Sequence, residues 1–214
     1  YVTFGATTDA DESFAEGIRN LPAGEFAVYD LQNGRFETKA YYTLPRFGDR
    51  KPTGGFEELF QAAVDEHLVS DVEVGSCLSG GIDSSLIVAE AARRSNRPFQ
   101  TFTCSFPGES VDETSFVQSL AEVVPHSNQH FTVPTSADLL SAMDDLVRLQ
   151  ERPIGSASIF AQYMVMKLVA ERGVKVVLDG QGADEVFGGY YPFAGAFLLT
   201  AIRKGRLGDA RRGF

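Results

Sequence analysis

Tryptophan is absent from the 214 residues, and cysteine (two), methionine (three) and histidine (three) are scarce. Cys77 and Cys104 lie inside apolar segments, at neither disulfide-scaffold nor metal-ligand spacing, so buried thiols in a reducing cytoplasm are expected. His67, His126 and His130 have no metal-ligand spacing with cysteine, which excludes an ordinary zinc site and leaves solvent or packing roles for them. Positive charge is also short: 19 Lys plus Arg face 29 Asp plus Glu, a net charge of -10. Such a chain does not coat nucleic acid or seek an anionic membrane, so any polyphosphate ligand must be held by a local device. The longest apolar stretch, Ala194 to Ile202, is about half of a bilayer span and is closed by Arg203 and Lys204. There is no Gly-Lys-Ser/Thr, which argues against γ-phosphoryl transfer by the usual P-loop machinery. The residues from Tyr1 onward show no signal-type or transit-type pattern, and both ends are expected to be cut from something longer.

What remains is an ordinary globular composition, 43% hydrophobic and 22% charged. Asp9 to Glu12 opens a short helix carrying Phe14 and Ile18, closed by Leu21-Pro22. Glu25 to Asp30 alternates, Asn33-Gly34 is a two-residue hairpin signal, and Phe36 to Tyr42 alternates again. One helix and one hairpin are too small to stand alone, so residues 1–48 are expected to end a larger domain. A linker rich in Pro, Gly and charge follows, at residues 49–55. From residue 56 to 214 helices alternate with apolar strands: helix Phe56–Leu68, strand Val72–Leu78, helix Ser85–Ser95, strand Phe99–Phe106, helix Glu113–Val124 and strand Gln129–Val133. Helices Ala137–Leu149 and Ile159–Arg172 come next, then a buried strand Val174–Leu178. The alternation implies an α/β fold, an open parallel sheet with helices on both faces.

Ligands of such sheets bind outside the carboxyl ends of the strands. There, Ser79-Gly80-Gly81-Ile82-Asp83-Ser84-Ser85 follows an apolar strand and opens a helix. Two glycines admit an anion close to the backbone, the helix N-terminus aims N–H groups at it, and Ser79, Ser84 and Ser85 add hydroxyls. Asp83 would repel phosphate without a bridging cation, which argues for Mg²⁺. A second loop, Asp179 to Tyr190, follows Leu178 with four glycines, three carboxylates and an amide, a composition poor for core or helix. Asp184 in it could complete the metal site. Glu109, Asp112 and Glu113, just past the second strand, are candidate secondary contacts.

The first loop resembles the pyrophosphate loop of the ATP pyrophosphatases, with an adenine nucleotide alpha hydrolase-like fold. The two loops together, with Glu16 to Gly24, Glu151-Arg152-Pro153-Ile154 and Gly173 to Leu178, resemble the glutamine-hydrolysing asparagine synthetases. The resemblance implies that residues 1–48 are the tail of an N-terminal-nucleophile glutaminase domain and that residues 56–214 belong to the synthetase domain. It implies a ligase that activates a carboxylate, aspartate first, as an acyl-adenylate with release of pyrophosphate, after which ammonia from glutamine displaces AMP. ATP and Mg²⁺ are the implied cofactors, the other partners are small molecules, and a homodimer is compatible.

Carried onto this chain, the resemblance gives Ser79, Gly80, Gly81, Asp83, Ser84 and Ser85 the phosphates, and Asp83 and Asp184 the metal. Backbone near Cys77, Leu78 and Cys104 would hold adenine, and Asp179-Gly180 would lie beside the adenylate. Gln181, Asp184 and Glu185 are the catalytic candidates. Gln181 stands where the family carries a Glu thought to assist ammonia attack, and an amide cannot take that proton at neutral pH. Asp179 stands where a Ser is common. Glu185 or Asp179 is the substitute base, or the acceptor differs, as in relatives acting on peptide, sugar-precursor or β-lactam substrates. A module that binds ATP without turnover is the reading from another class.

Overall fold

The computed structural model describes residues 13–45 and 53–205. They form two units, one of the described residues up to Ala62 with Pro134–Met166, the other of Ala63–Val133 with the described residues from Lys167.

In the first unit, strands β1 (Glu25–Tyr29) and β2 (Phe36–Ala40) pair antiparallel with Tyr29 opposite Phe36. The hairpin is as expected, but its turn is wider than the two residues Asn33-Gly34. Asp30 N–H donates to the Arg35 carbonyl at 2.8 Å, and the Asp30 carboxylate collects Gln32 N–H and the Asn33 amide at 2.8 and 2.6 Å. Asp30 therefore organises the loop, and Gly34, at φ +72°, supplies its left-handed position. The helix expected from Asp9 begins outside the described residues. From Ser13 onward the chain forms turns instead, with Ser13 Oγ donating to Ile18 O at 2.8 Å and Gly17 at φ +79°. Of the expected linker, residues 49–52 lie outside the described residues, and Thr53–Gly55 bend into helix α1 (Phe56–His67).

Helices α4 (Ser136–Gln150) and α5 (Ala157–Glu171) carry the apolar cluster Ala142, Leu146 and Phe160, with Leu139, Ile154, Ile159, Tyr163 and Met164 packed on it. Thr135 starts α4 with a capping box: its hydroxyl accepts Asp138 N–H, and the Asp138 carboxylate accepts Thr135 N–H.

The second unit is an open parallel sheet. Strands β3 (Val74–Cys77), β4 (Phe99–Cys104), β5 (Ser127–Thr132) and β6 (Val176–Leu178) stand in the order β5-β4-β3-β6. All three pairings are parallel. Between the strands run α2 (Ile82–Arg94) and α3 (Thr114–Val123), and after β6 come α6 (Ala183–Phe187) and α7 (Tyr191–Arg203). Leu78, Val88 and Val117 form a buried cluster that seats α2 and α3 on the sheet. Gly75 is needed where it stands, because a Cβ there would lie 2.9 Å from the Phe102 ring.

The strand ending at Leu178 was expected to be buried. Only Val174, ahead of β6, is buried, and Val176 is 37% exposed. The reason is position: among the described residues β6 is the outer strand of the sheet, with β3 on one edge. The second loop likewise contains a helix, the single turn-and-a-bit of α6, framed by Gly182 and Gly188 at φ +92° and +74°. Glycine at both ends, rather than helix propensity inside, sets its length.

Candidate active site

The chain runs outward from β3 to β4 to β5, then returns to place β6 on the other side of β3. The strand order reverses at β3, and the crevice at the carboxyl ends of β3 and β6 is where such a sheet takes its ligand. Both loops singled out from the sequence open there.

The first loop is a rigid turn. Gly80 adopts φ +85°, a region closed to most side chains. Helix α2 starts on Gly81 with no side-chain cap, so its leading N–H groups have neither an intrahelical carbonyl nor a capping oxygen. The serines brace the turn from inside. Ser84 Oγ accepts Ser79 N–H at 3.2 Å, donates to the Gly81 carbonyl at 3.2 Å and lies 3.1 Å from Ser79 Oγ. Ser79 Oγ accepts Gly81 N–H at 3.3 Å. The Ser84 hydroxyl, expected to face a phosphate, is buried and shapes the loop that presents the helix terminus. Asp83 sits half-exposed in the first turn of α2.

The second loop meets the first at Gly180, where a Cβ would lie 3.3 Å from Ser84 N and 3.4 Å from Asp83 Cβ. Asp179 turns its carboxylate back on the loop and accepts Gln181 N–H at 3.1 Å. Gln181 is exposed. The Asp184 carboxylate lies on Gly189, where any Cβ would collide with Oδ1, and Gly189 N–H donates to Asp184 O at 2.9 Å. Tyr190 Oη donates to Glu185 Oε1 at 2.9 Å, and that bond is the first cause that raises the Tyr190 phenol above its ordinary range.

The expected adenine contacts are mixed. Cys77 ends β3 and Cys104 ends β4, both half-buried on the same edge of the sheet. Burial pushes the Cys104 thiol up to about 11, so it stays protonated at neutral pH. Leu78 is 2% exposed, with N–H donated to Phe102 O at 2.9 Å and its carbonyl accepting Thr103 Oγ1 at 2.7 Å. Its N–H is thus spent on the ladder and its side chain on the core.

Among the described residues no three His, Cys, Asp or Glu gather as a metal cage. Asp83 and Asp184 are hard oxygen donors of the kind Mg²⁺ takes, one on each of two loops that open from paired strands, with phosphate oxygens needed to complete a shell. Two contacts escaped the sequence reading: the Tyr190–Glu185 bond and a hydrogen-bonded knot around Asp112. The spacing Asp112-x-Thr114 carries an Asx-turn signal that points to the second.

A parallel α/β unit with an uncapped helix terminus and a second glycine-rich loop at its switch point places the chain in the class of open parallel-sheet proteins, whose ligand crevice lies at that point. Residues 55–211 match the family described as Asparagine synthase, and the chain belongs to that family. It is 34% identical to the Bacillus subtilis (strain 168) glutamine-hydrolysing asparagine synthetase 1, over 89% of this chain and 30% of that protein. The corresponding enzyme of Zea mays is 29% identical over 95% of this chain and 37% of its own length. Arabidopsis thaliana asparagine synthetase 1 is 30% identical over 83% and 32%. The chain thus spans about a third of the length of these relatives.

Proposed function

We propose that this site binds ATP and activates a carboxylate substrate, aspartate first, as an acyl-adenylate with loss of pyrophosphate, and that ammonia then displaces AMP to form the amide. The observation that carries the reading is the contact of Gly180 with the first turn of α2, which makes the two loops one wall of a crevice at the switch point. The leading N–H groups of α2 take the triphosphate, and the braced Ser79–Ser84 turn holds them in place without reorganisation. Asp83 and Asp184 would hold Mg²⁺, which supplies charge neutralisation to the departing pyrophosphate. Exposed Asp179 and half-buried Gly180 face the adenylate, and the strand ends at Cys77 and Cys104 border the base. Glutamine, which the names of the relatives give as hydrolysed, would supply the ammonia.

Gln181 favours a second reading of the last step. Its amide cannot serve as base, so either Glu185, held by Tyr190, takes the ammonium proton within the first reading, or, in the second, the activated carboxylate is not aspartate. The full-length protein given ATP, aspartate and ammonium should yield AMP, pyrophosphate and asparagine. ADP with phosphate would sink both readings. AMP and pyrophosphate formed with another carboxylate but not with aspartate would select the second.

A further inference from the structure

The loop after β4 is tied to α3 by one carboxylate. Asp112 Oδ1 accepts Thr114 Oγ1–H at 2.6 Å, Phe106 N–H at 3.0 Å and Thr114 N–H at 3.4 Å. The buried Ser105 hydroxyl lies 3.3 Å from the same oxygen and 2.6 Å from Thr114 Oγ1. Two further turns, Glu109 N–H to Phe106 O and Asp112 N–H to Glu109 O, close the segment between them. These bonds join the end of β4, the loop and the first turn of α3 in one knot. The Thr114 hydroxyl first, and the Phe106 N–H next, hold the Asp112 carboxyl below its usual range, so it is ionised at neutral pH.

That first turn of α3 is the floor under Gly80. A Cβ on Gly80 would lie 2.9 Å from Phe116 Cβ, 3.2 Å from the Glu113 carbonyl oxygen and 3.4 Å from Val117 Cγ2. Val117 is fully buried in the cluster with Leu78 and Val88, which lie before and after the phosphate loop in the chain. The loop's left-handed turn at Gly80 and the anchors on both sides of it therefore rest on α3, and the start of α3 is set by Asp112.

We infer that Asp112 is a positioning residue for the phosphate loop: through Thr114 and the first turn of α3 it fixes Gly80, and with it the direction in which the N-terminus of α2 meets the triphosphate. The inference rests on the ATP reading above. It assigns Asp112 an effect on phosphate binding alone, since the hydrogen bonds of its carboxylate run to Ser105, Phe106 and Thr114 and to neither loop of the crevice.

Steady-state pyrophosphate release by the full-length protein tests it, with ATP varied at saturating aspartate and aspartate varied at saturating ATP. Asp112→Ala should raise KM for ATP about tenfold, the scale of a lost charge-assisted hydrogen bond, and leave KM for aspartate within about twofold. Should Asp112→Ala lack a folded far-UV spectrum, Thr114→Val carries the same expectation at about threefold, since it removes one bond of the knot. A wild type that releases no pyrophosphate sinks the ATP reading itself. An active wild type whose variant keeps its KM for ATP, or loses both KM values together, overturns the role of Asp112.

Discussion

Gly180 and Ser84, nearly a hundred residues apart in the chain, meet so closely that a methyl group on Gly180 would stand 3.3 Å from the Ser84 nitrogen. The parallel pairing of Ser76 with Leu178 brings them there, because it fixes where the chain leaves β3 and β6. Ser76 Oγ reinforces it by donating to Leu178 O at 3.2 Å. Gly180→Ala should therefore push the second loop off α2 by a few tenths of an ångström and crowd the N–H groups offered to phosphate. We expect binding of a non-hydrolysable ATP analogue to the full-length protein to weaken about tenfold, the scale of one lost charge-assisted bond. Calorimetric titration reads it, and wild-type affinity in a folded variant would show that the crevice is not the nucleotide site.

Asp83 makes a different contribution. A carboxylate in the first turn of α2 favours the helix but opposes a bound phosphate unless a cation lies between them. Asp83→Asn should leave binding of the ATP analogue in EDTA unchanged or tighter, and abolish the gain that Mg²⁺ gives the wild type. A variant with the same Mg²⁺ dependence as wild type would remove Asp83 from the metal site.

Much of this was legible before the structure. The strand-helix alternation carried the parallel sheet, because buried strands and amphipathic helices have distinct periods, and the glycines of the Ser79–Ser85 segment marked the turn between β3 and α2. The edge position of β6 was not legible: Val176-Val177-Leu178 is as apolar as a central strand, and only the strand order reveals that, among the described residues, β3 alone pairs with it. Nor could the sequence show that Ser84 faces inward, since a hydroxyl in a turn can bond the turn or the ligand and only geometry chooses. Asp30 was missed as the organiser of the hairpin for a similar reason. Asn33-Gly34 is the stronger local signal, yet the Asp30 carboxylate gathers more donors.

Cys104 should be unreactive in the folded protein. Burial shifts its thiol from 9.0 to about 11, which lowers its thiolate fraction near pH 8 by about a hundredfold. Because the fold favours the thiol, its contribution to stability is present below the unfolded value and is lost as pH rises from about 9 to about 11. In a Cys77→Ala background, alkylation of Cys104 by iodoacetamide at pH 8 should be far slower than in urea. Equal rates in the two conditions would mean that the end of β4 is open to solvent.

His130 gives a pH effect of the opposite sense. Its ring stacks on Phe102 with centroids 5.2 Å apart, and Nε2 lies 2.7 Å from the Gln100 amide oxygen, an acceptor, so the neutral ring carries its proton on Nε2. Desolvation first, and the Arg172 charge next, lower its pKa below 6.5. Between the lowered value and 6.5 the unfolded chain binds more protons than the folded one, so stability rises with pH there and is lost as pH falls through the folded value. His130→Phe keeps an aromatic ring against Phe102 and removes the titration. Thermal melts of the full-length protein between pH 7 and pH 5 should therefore show a smaller loss of Tm for the variant than for wild type, even if the variant starts lower for want of the Gln100 bond. Equal losses would mean that the histidine is as well solvated in the folded protein as in the unfolded chain, and that the Phe102–His130 stack does not shield it.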